Sequence, residues 1–394
     1  MQYDFDTPID RTHTWSIKHD FKKENGKADD ILPLWVADMD FRSPDSVVEA
    51  LKKAVDHGIF GYSRADESYF DAVAAWYQKR HHLTLQPEWM TCTPGIVFAL
   101  SIAVRAFTQE GDAVLIQPPV YHPFARQTRF NNRVVVNNPL SQRADGSFGI
   151  DFDDLDRKLA GAKVFLMSNP HNPSGRVYTA EELTRIGELC VKHDVVILSD
   201  EIHGDLVYKP HKHIHIAALD EAFARRTVTF TAPSKTFNLA GLSTSVAITP
   251  DAALRRRLQQ EFNKLHADQG NIFGTVALEA AYTHGDEWLE RLLEYLEGNI
   301  RYVTDFLHRK MPSVKCVPPE GTYLMWLDFR AWPMTHEEIY RFMVERAGIG
   351  VNEGSMFGEE GRGWMRMNIA TQRSVVERAM NQLYEAARAA GLCE

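Results

Sequence analysis

The sequence predicts an α/β protein, with a mostly parallel central sheet, helices on both of its faces and a smaller C-terminal α+β domain. Three observations carry that expectation. From about residue 90 the chain carries short β-rich runs that are apolar on both alternations, as strands covered on two faces must be. Amphipathic helical windows fill most of the gaps between them. Near Asp286 the chain changes to long charged helices around one further apolar run.

In chain order, the first fifty residues show little periodicity, and the Pro-flanked stretch ILPLWVADMDF (31–41) reads as an extended arm laid over something else. A helix begins near Ser43–Pro44. The strand candidates are AVLIQ (113–117), RVVVN (133–137), KVFLMS (163–168), VVILS (195–199), TVTFT (227–231) and SVAIT (245–249). Thr179 with Glu182 three residues on forms a capping box for a helix running to about His193, which feeds the strand at 195–199. Too few residues separate Thr231 from Ser245 for a crossover helix, so the last strand is expected to return antiparallel. TYLMWLDF (322–329) lies in the C-terminal part. The expected division is an arm at 1–48 packing with the small domain, a large cofactor-binding domain at 49–285 and a small domain at 286–394.

Composition narrows the function. A chain of 394 residues, 44% of them hydrophobic, can bury a large core, and Lys+Arg of 44 against Asp+Glu of 53 leaves a net charge of −9. That balance argues against nucleic acid as a partner. No apolar run is long enough to span a bilayer, and the polar, acidic start MQYDFDTPID is unlike a signal peptide, so a cytoplasmic protein is expected. Cys92, Cys190, Cys316 and Cys393 lie too far apart to suggest a CxxC metal pair or a disulfide framework.

In open α/β sheets, ligands collect at the carboxyl ends of the strands. Asp200-Glu201-Ile202-His203 follows VVILS, and SNPHNPSG, with Asn169 and Asn172, follows KVFLMS. PPVYHPF, with Tyr121, follows AVLIQ, and APSKTFNLAGL, with Ser234 and Lys235, follows TVTFT. An amine, a carboxylate, an amide and a flat ring suit a pyridine aldehyde cofactor. TPGIVFALSIAVRAF adds an anion site, because Gly95, Ile96 and Val97 open an apolar helix with free amides. Asn169, before Pro170, reads as turn chemistry.

SNPHNPSG, SDEIHGDL and TAPSKTFNLAGL, in this order and spacing, resemble the fold-type I pyridoxal phosphate enzymes of the class I/II aminotransferase superfamily. LPLWVADMDF, HGIFGYS and VNEGSMFGEEGRGWMRMNIA resemble its cystathionine β-lyase, or C–S lyase, branch of MalY/PatB type. The resemblance implies pyridoxal 5'-phosphate bonded to Lys235, which later moves the substrate's Cα proton. It implies Asp200 on the ring nitrogen, Asn172 and His203 at the phenolic oxygen, and Tyr121 stacked on the ring. The phosphate would lie against Gly95, Ile96, Val97 and Ser234. Arg366, within WMRMN, would clamp the α-carboxylate of a small amino-acid substrate, for which a guanidinium is the natural partner. Tyr62 would reach the phosphate of a neighbouring subunit, implying a homodimer with shared sites.

One position departs from the superfamily. An Arg is common eight residues after the Schiff-base lysine, and here Ser243 stands there. That departure agrees with the lyase branch, and the activity the resemblance implies is β-cleavage of L-cystathionine or related cysteine S-conjugates to a thiol, pyruvate and ammonia. The rivals are an aminotransferase and a catalytically silent binding protein on the same fold. HKHIH (211–215) would set His211, His213 and His215 on one face, but with no carboxylate or Cys companion in view it is not read as a metal site. Trp35 reads as core or interface, and no GxGxxG, P-loop or GxSxG occurs.

Overall fold

Apolar runs of four to seven residues can be buried on both faces only inside a layered sheet, and that is where they lie. The computed structural model describes residues 3–267 and 269–393. Its principal elements are α1 (Asp45–His57), α2 (Glu67–His81), β1 (Met90–Thr93), α3 (Ile96–Phe107), β2 (Ala113–Ile116), β3 (Val134–Asn137) and β4 (Ala162–Ser168). They continue with α4 (Ala180–Lys192), β5 (Val196–Asp200), β6 (Thr227–Thr231), α5 (Pro233–Thr236), β7 (Ser245–Ile248) and α6 (Asp286–Lys310). The chain closes with β8 (Leu324–Asp328), β9 (Asn352–Glu353), β10 (Trp364–Asn368) and α7 (Arg373–Ala389).

Seven strands form the main sheet in the order β1-β7-β6-β5-β4-β2-β3. All neighbours are parallel except β7, which runs antiparallel to both β6 and β1, as the short connection before it requires. Alternate residues feed two cores. Val164, Leu166, Leu198 and Val228 pack with Leu100 and Val104 of α3 on one face. Phe165, Met167 and Ile197 pack with Leu183, Ile186 and Cys190 of α4 on the other. The predicted capping box starts α4: Thr179 accepts the Glu182 amide, and Glu182 accepts the Thr179 amide.

Two strands differ from expectation. RVVVN is an edge strand with Val134 about half exposed, because cover ends where the sheet ends. Met90–Thr93 is a buried strand that its sequence MTCT, short of aliphatic residues, did not suggest.

A second, antiparallel sheet in the order β8-β10-β9 lies in the C-terminal part. The arm forms a separate two-stranded sheet with the C-terminal part, Leu32–Pro33 running parallel to Ile349–Gly350. Leu34, Met39 and Phe41 of the arm share one apolar core with Trp76, Leu289, Leu292, Met365 and Leu383. That core crosses residue 286 without a break. No helix among the described residues is long and apolar enough to cross a membrane.

Candidate active site

The parallel strands β4, β5 and β6 end on one rim, so the segments after them meet at a cavity of about 260 Å3. Asn172, Asp200, His203, Ser234, Lys235 and Tyr121 all line it, together with the first turn of α3. Ala37 of the arm lines it too.

Lys235 sits in the one-turn helix α5, which Pro233 opens. Its Nζ donates to the Ala37 carbonyl at 2.6 Å, and burial pushes the ammonium group down to about 8. Among the described residues, the carboxyl of Asp200, the last residue of β5, accepts one hydrogen bond, from the Ile202 amide at 3.2 Å. Burial pushes its carboxyl up to about 7. A lone, desolvated carboxylate is a strong acceptor for a buried cationic N–H. His203 is buried with no partner for Nδ1, and burial, then Lys235 and Arg366, hold its pKa well below the ordinary imidazole value.

Arg366 comes from the middle of β10. It is buried, and among the described residues no carboxylate pairs with it. Its Nη1 donates to Asn172 Oδ1 at 2.9 Å, and Nη2 donates to Asn352 Oδ1 at 2.7 Å and the Trp35 carbonyl at 3.0 Å. Nε has no acceptor, and burial pushes the guanidinium down to about 10. A buried cation held only by neutral oxygens is a site for an anionic ligand. Because Asn172 Oδ1 serves Arg366, its amide NH2 remains free to donate elsewhere. Asn169 is structural, accepting the Tyr178 amide at 3.1 Å and donating to the Ile214 carbonyl at 3.2 Å.

At the opposite end, α3 points its first turn into the cavity. Gly95 has φ +129°, a conformation that L side chains rarely adopt. Its own amide donates to Ser245 Oγ at 2.9 Å, so the anion-binding amides left are those that follow, Ile96 and Val97 among them. Ser243 lines the same cavity with φ +48°, so the missing arginine is missing from the place where it would act.

This donor set fits a phosphorylated pyridine aldehyde: an amine, a lone carboxyl, an amide donor, a half-buried aromatic ring and open helix amides. Residues 29–383 match the profile of the family described as Aminotransferase class I and II. The chain belongs to that family. Cystathionine beta-lyase PatB of Bacillus subtilis is 42% identical over 381 residues, covering 96% of this chain and 98% of its own. Cystalysin from Treponema denticola, whose structure contains a pyridoxal 5'-phosphate cofactor, superposes with a TM-score of 0.96 at 36% identity over 99% of this chain and 100% of its own. A PLP-bound C-S lyase from Staphylococcus hominis gives 0.90 at 31%, covering 98% of each chain.

Two expectations meet a different environment from the one anticipated. Tyr62 is fully exposed and lies in a separate depression with Arg64 and Gln269, so one chain alone does not bring it to the cavity. The His213–His215 pair does have a carboxylate companion. Glu201, wholly buried, accepts from His213 Nε2 at 2.9 Å and is bonded by His215 Nδ1, and all three ligand atoms lie within 4.8 Å of one another. The outer nitrogens, His213 Nδ1 and His215 Nε2, have no hydrogen-bond partner among the described residues. Each ring therefore directs its N–H at Glu201, and the group is a hydrogen-bonded clamp that holds Glu201 well below the usual carboxylate range. His211 is exposed. The sequence could not show this pairing, which joins a strand end to a loop twelve residues on.

The sequence also gave no sign of three groups around the cations: the Ala37 carbonyl, the Tyr323 hydroxyl that donates to it at 2.9 Å, and Asn352. All three lie in segments already singled out, LPLWVADMDF, TYLMWLDF and VNEGSMFG, but neither a backbone carbonyl nor a contact between distant segments carries a sequence signature.

Proposed function

We propose that the protein is a pyridoxal 5'-phosphate-dependent carbon–sulfur β-lyase, acting on L-cystathionine or related cysteine S-conjugates. Its products would be a thiol (homocysteine from cystathionine), pyruvate and ammonia. The observation that carries this is the convergence of a buried amine, a lone buried carboxyl and an unpaired buried guanidinium around one cavity. The 42% identity to a cystathionine β-lyase along nearly the whole chain supports the lyase branch.

When bound, pyridoxal phosphate supplies an electron sink that acidifies the substrate's Cα–H and allows a thiolate to depart from Cβ. Lys235 is the residue to bond the aldehyde carbon, and its depressed pKa suits it to take the Cα proton once the substrate amine displaces it. Asp200 would keep a proton on the ring nitrogen, a role for which its desolvated carboxyl is poised. Asn172, through its free NH2, and His203 would face the phenolic oxygen, and Tyr121 the ring. The amides of Ile96 and Val97, the close approach allowed by Gly95, and Ser234 would hold the phosphate. Arg366 would grip the substrate α-carboxylate, with Nε as its unused donor. We further propose a cytoplasmic homodimer in which Tyr62 reaches the partner's phosphate site.

The family also contains aminotransferases, so the reaction must be separated from transamination. Incubation with L-cystathionine and no keto acid should release thiol and pyruvate in equal amounts. Absence of thiol, with turnover only when a keto acid is supplied, would overturn the lyase reading in favour of aminotransfer. Borohydride reduction should fix the cofactor on Lys235, and a label on any other side chain would overturn the site.

A further inference from the structure

The arm segment 35–41 reaches the cavity at Ala37, and its backbone carbonyls hold both active-site cations. The Trp35 carbonyl accepts from Arg366 at 3.0 Å, and the Ala37 carbonyl accepts from Lys235 at 2.6 Å. Asn368 Nδ2 donates to the Val36 and Asp38 carbonyls, each at 2.6 Å. A carbonyl orients an ammonium group only if the carbonyl itself cannot move.

Behind this strap lies an ionic clasp that the reaction does not use. Arg11 Nη2 meets Asp38 Oδ2 at 2.6 Å, while Nη1 meets Asp40 Oδ1 at 2.7 Å and the Met39 carbonyl at 3.0 Å. Lys18, with no exposed side-chain surface, meets Asp40 Oδ2 at 2.7 Å and lies 3.4 Å from Asp38 Oδ1. His19 Nε2 is 3.1 Å from Asp40 Oδ1. Burying four charges is expensive and seldom stabilises a fold more than apolar residues of the same volume would. The two aspartates are also not equivalent. Asp40 makes hydrogen bonds with both oxygens, whereas Asp38 Oδ1 is buried without one, in the residue next to the carbonyl that holds Lys235.

We propose that Asp38, clasped from behind by Arg11 and Lys18, is a positioning residue for Lys235: it fixes the Ala37 carbonyl against the lysine nitrogen and favours that nitrogen's protonated form. This inference rests on the proposed cofactor chemistry. Lys235 is faced by Asp38 from the arm, Asp200 from the end of β5, His203 from the loop after it, and Arg366 from β10. Tyr323 reaches the shared carbonyl. Burial and Arg366 oppose the protonated form of Lys235, while the negative charges of Asp38 and Asp200 both favour it. Asp38 itself is faced by Arg11, Lys18 and Tyr323, with Asp40 and His19 completing the clasp.

The experiment is a pH titration of the bound cofactor's absorbance, which follows the proton on the Lys235 nitrogen, in Asp38→Asn and Asp40→Asn holoenzymes. Asp38→Asn should lower the midpoint by about one pH unit and reduce kcat about tenfold at neutral pH, with KM changed less than about twofold. Asp40→Asn cuts the same clasp and should lower Tm without moving the midpoint. An unmoved midpoint in Asp38→Asn, or equal shifts in both variants, overturns the proposal. Should Asp38→Asn fail to fold, Arg11→Gln removes the countercharge and should raise the midpoint, and a fall or no change overturns it. A wild-type protein with no titrating band would overturn the cofactor reading as well, so the two failures are distinguishable.

Discussion

At the scale of single residues, the site is a set of ionisable groups left without their usual partners. Arg366 is the clearest case, with three neutral acceptors and no carboxylate among the described residues. Arg366→Met should lower kcat/KM for cystathionine at least about a hundredfold, because a desolvated charge-assisted pair with the substrate is lost. The melting temperature should move by less than about 5 °C, since removing a buried unpaired cation offsets the lost hydrogen bonds. Steady-state kinetics and a thermal melt on one preparation check both halves. Asp200 gives a pH signature. Its carboxyl is raised from an ordinary 3.8 to about 7 in the fold, so between those values the native cofactor-free protein binds more protons than the unfolded chain. Its contribution to stability is therefore fully present below about pH 4 and is lost as pH rises through about 7. The difference in Tm between cofactor-free wild type and Asp200→Asn should fall across that window and flatten once cofactor is bound. What the sequence displayed at this scale were the residues whose side chains are proposed to do the chemistry: Lys235, Asp200 and Asn172, at the ends of or in short motifs after strands, and Arg366, inside the strand motif WMRMN. It did not display Ala37, Asn352 or the Glu201–His213–His215 clamp, whose roles come from contacts between distant segments or from the main chain.

At the scale of elements, local pattern was informative wherever burial was two-sided and weak where it was not. The runs that became β2, β4, β5, β6 and β7 are aliphatic or aromatic because both faces are covered. The edge strand β3 has a similar run but a half-exposed Val134, and β1 is buried with the unremarkable sequence MTCT, so composition misjudged one in each direction. The antiparallel return of β7 was legible from loop length alone. The junction of β1 with α3 bears most directly on function. Gly95 occupies φ +129° at the N-cap, and a Cβ built there meets no described protein atom within 4 Å, so the space beside it is open to the proposed phosphate. Gly95→Ala should impose backbone strain on the order of 1–3 kcal/mol and place a methyl group toward the phosphate. We expect the cofactor dissociation constant to rise at least about tenfold, read by fluorescence titration, with far-UV circular dichroism unchanged. An unchanged dissociation constant would place the phosphate elsewhere.

At the scale of the whole molecule, a single chain accounts for every proposed contact except the one assigned to Tyr62. That side chain is fully exposed, and Ile59 and Phe60 beside it are also largely exposed, an apolar edge that water covers poorly. A twofold dimer that buries this edge would carry Tyr62 into the partner's site, where it would stand in for the arginine that Ser243 replaces. Mixing tests the idea without a structure of the dimer. Lys235→Ala chains lack the amine but keep Tyr62, and Tyr62→Ala chains keep the amine but lack the donated hydroxyl. After exchange of subunits in equal proportion, half of the dimers are mixed, and each mixed dimer has one site with both groups intact. Activity should then rise from the low level of either variant toward about one quarter of wild type, the fraction of sites restored in a closed twofold assembly. If Tyr62 served its own chain, the mixed dimers would contain no complete site and mixing would restore nothing.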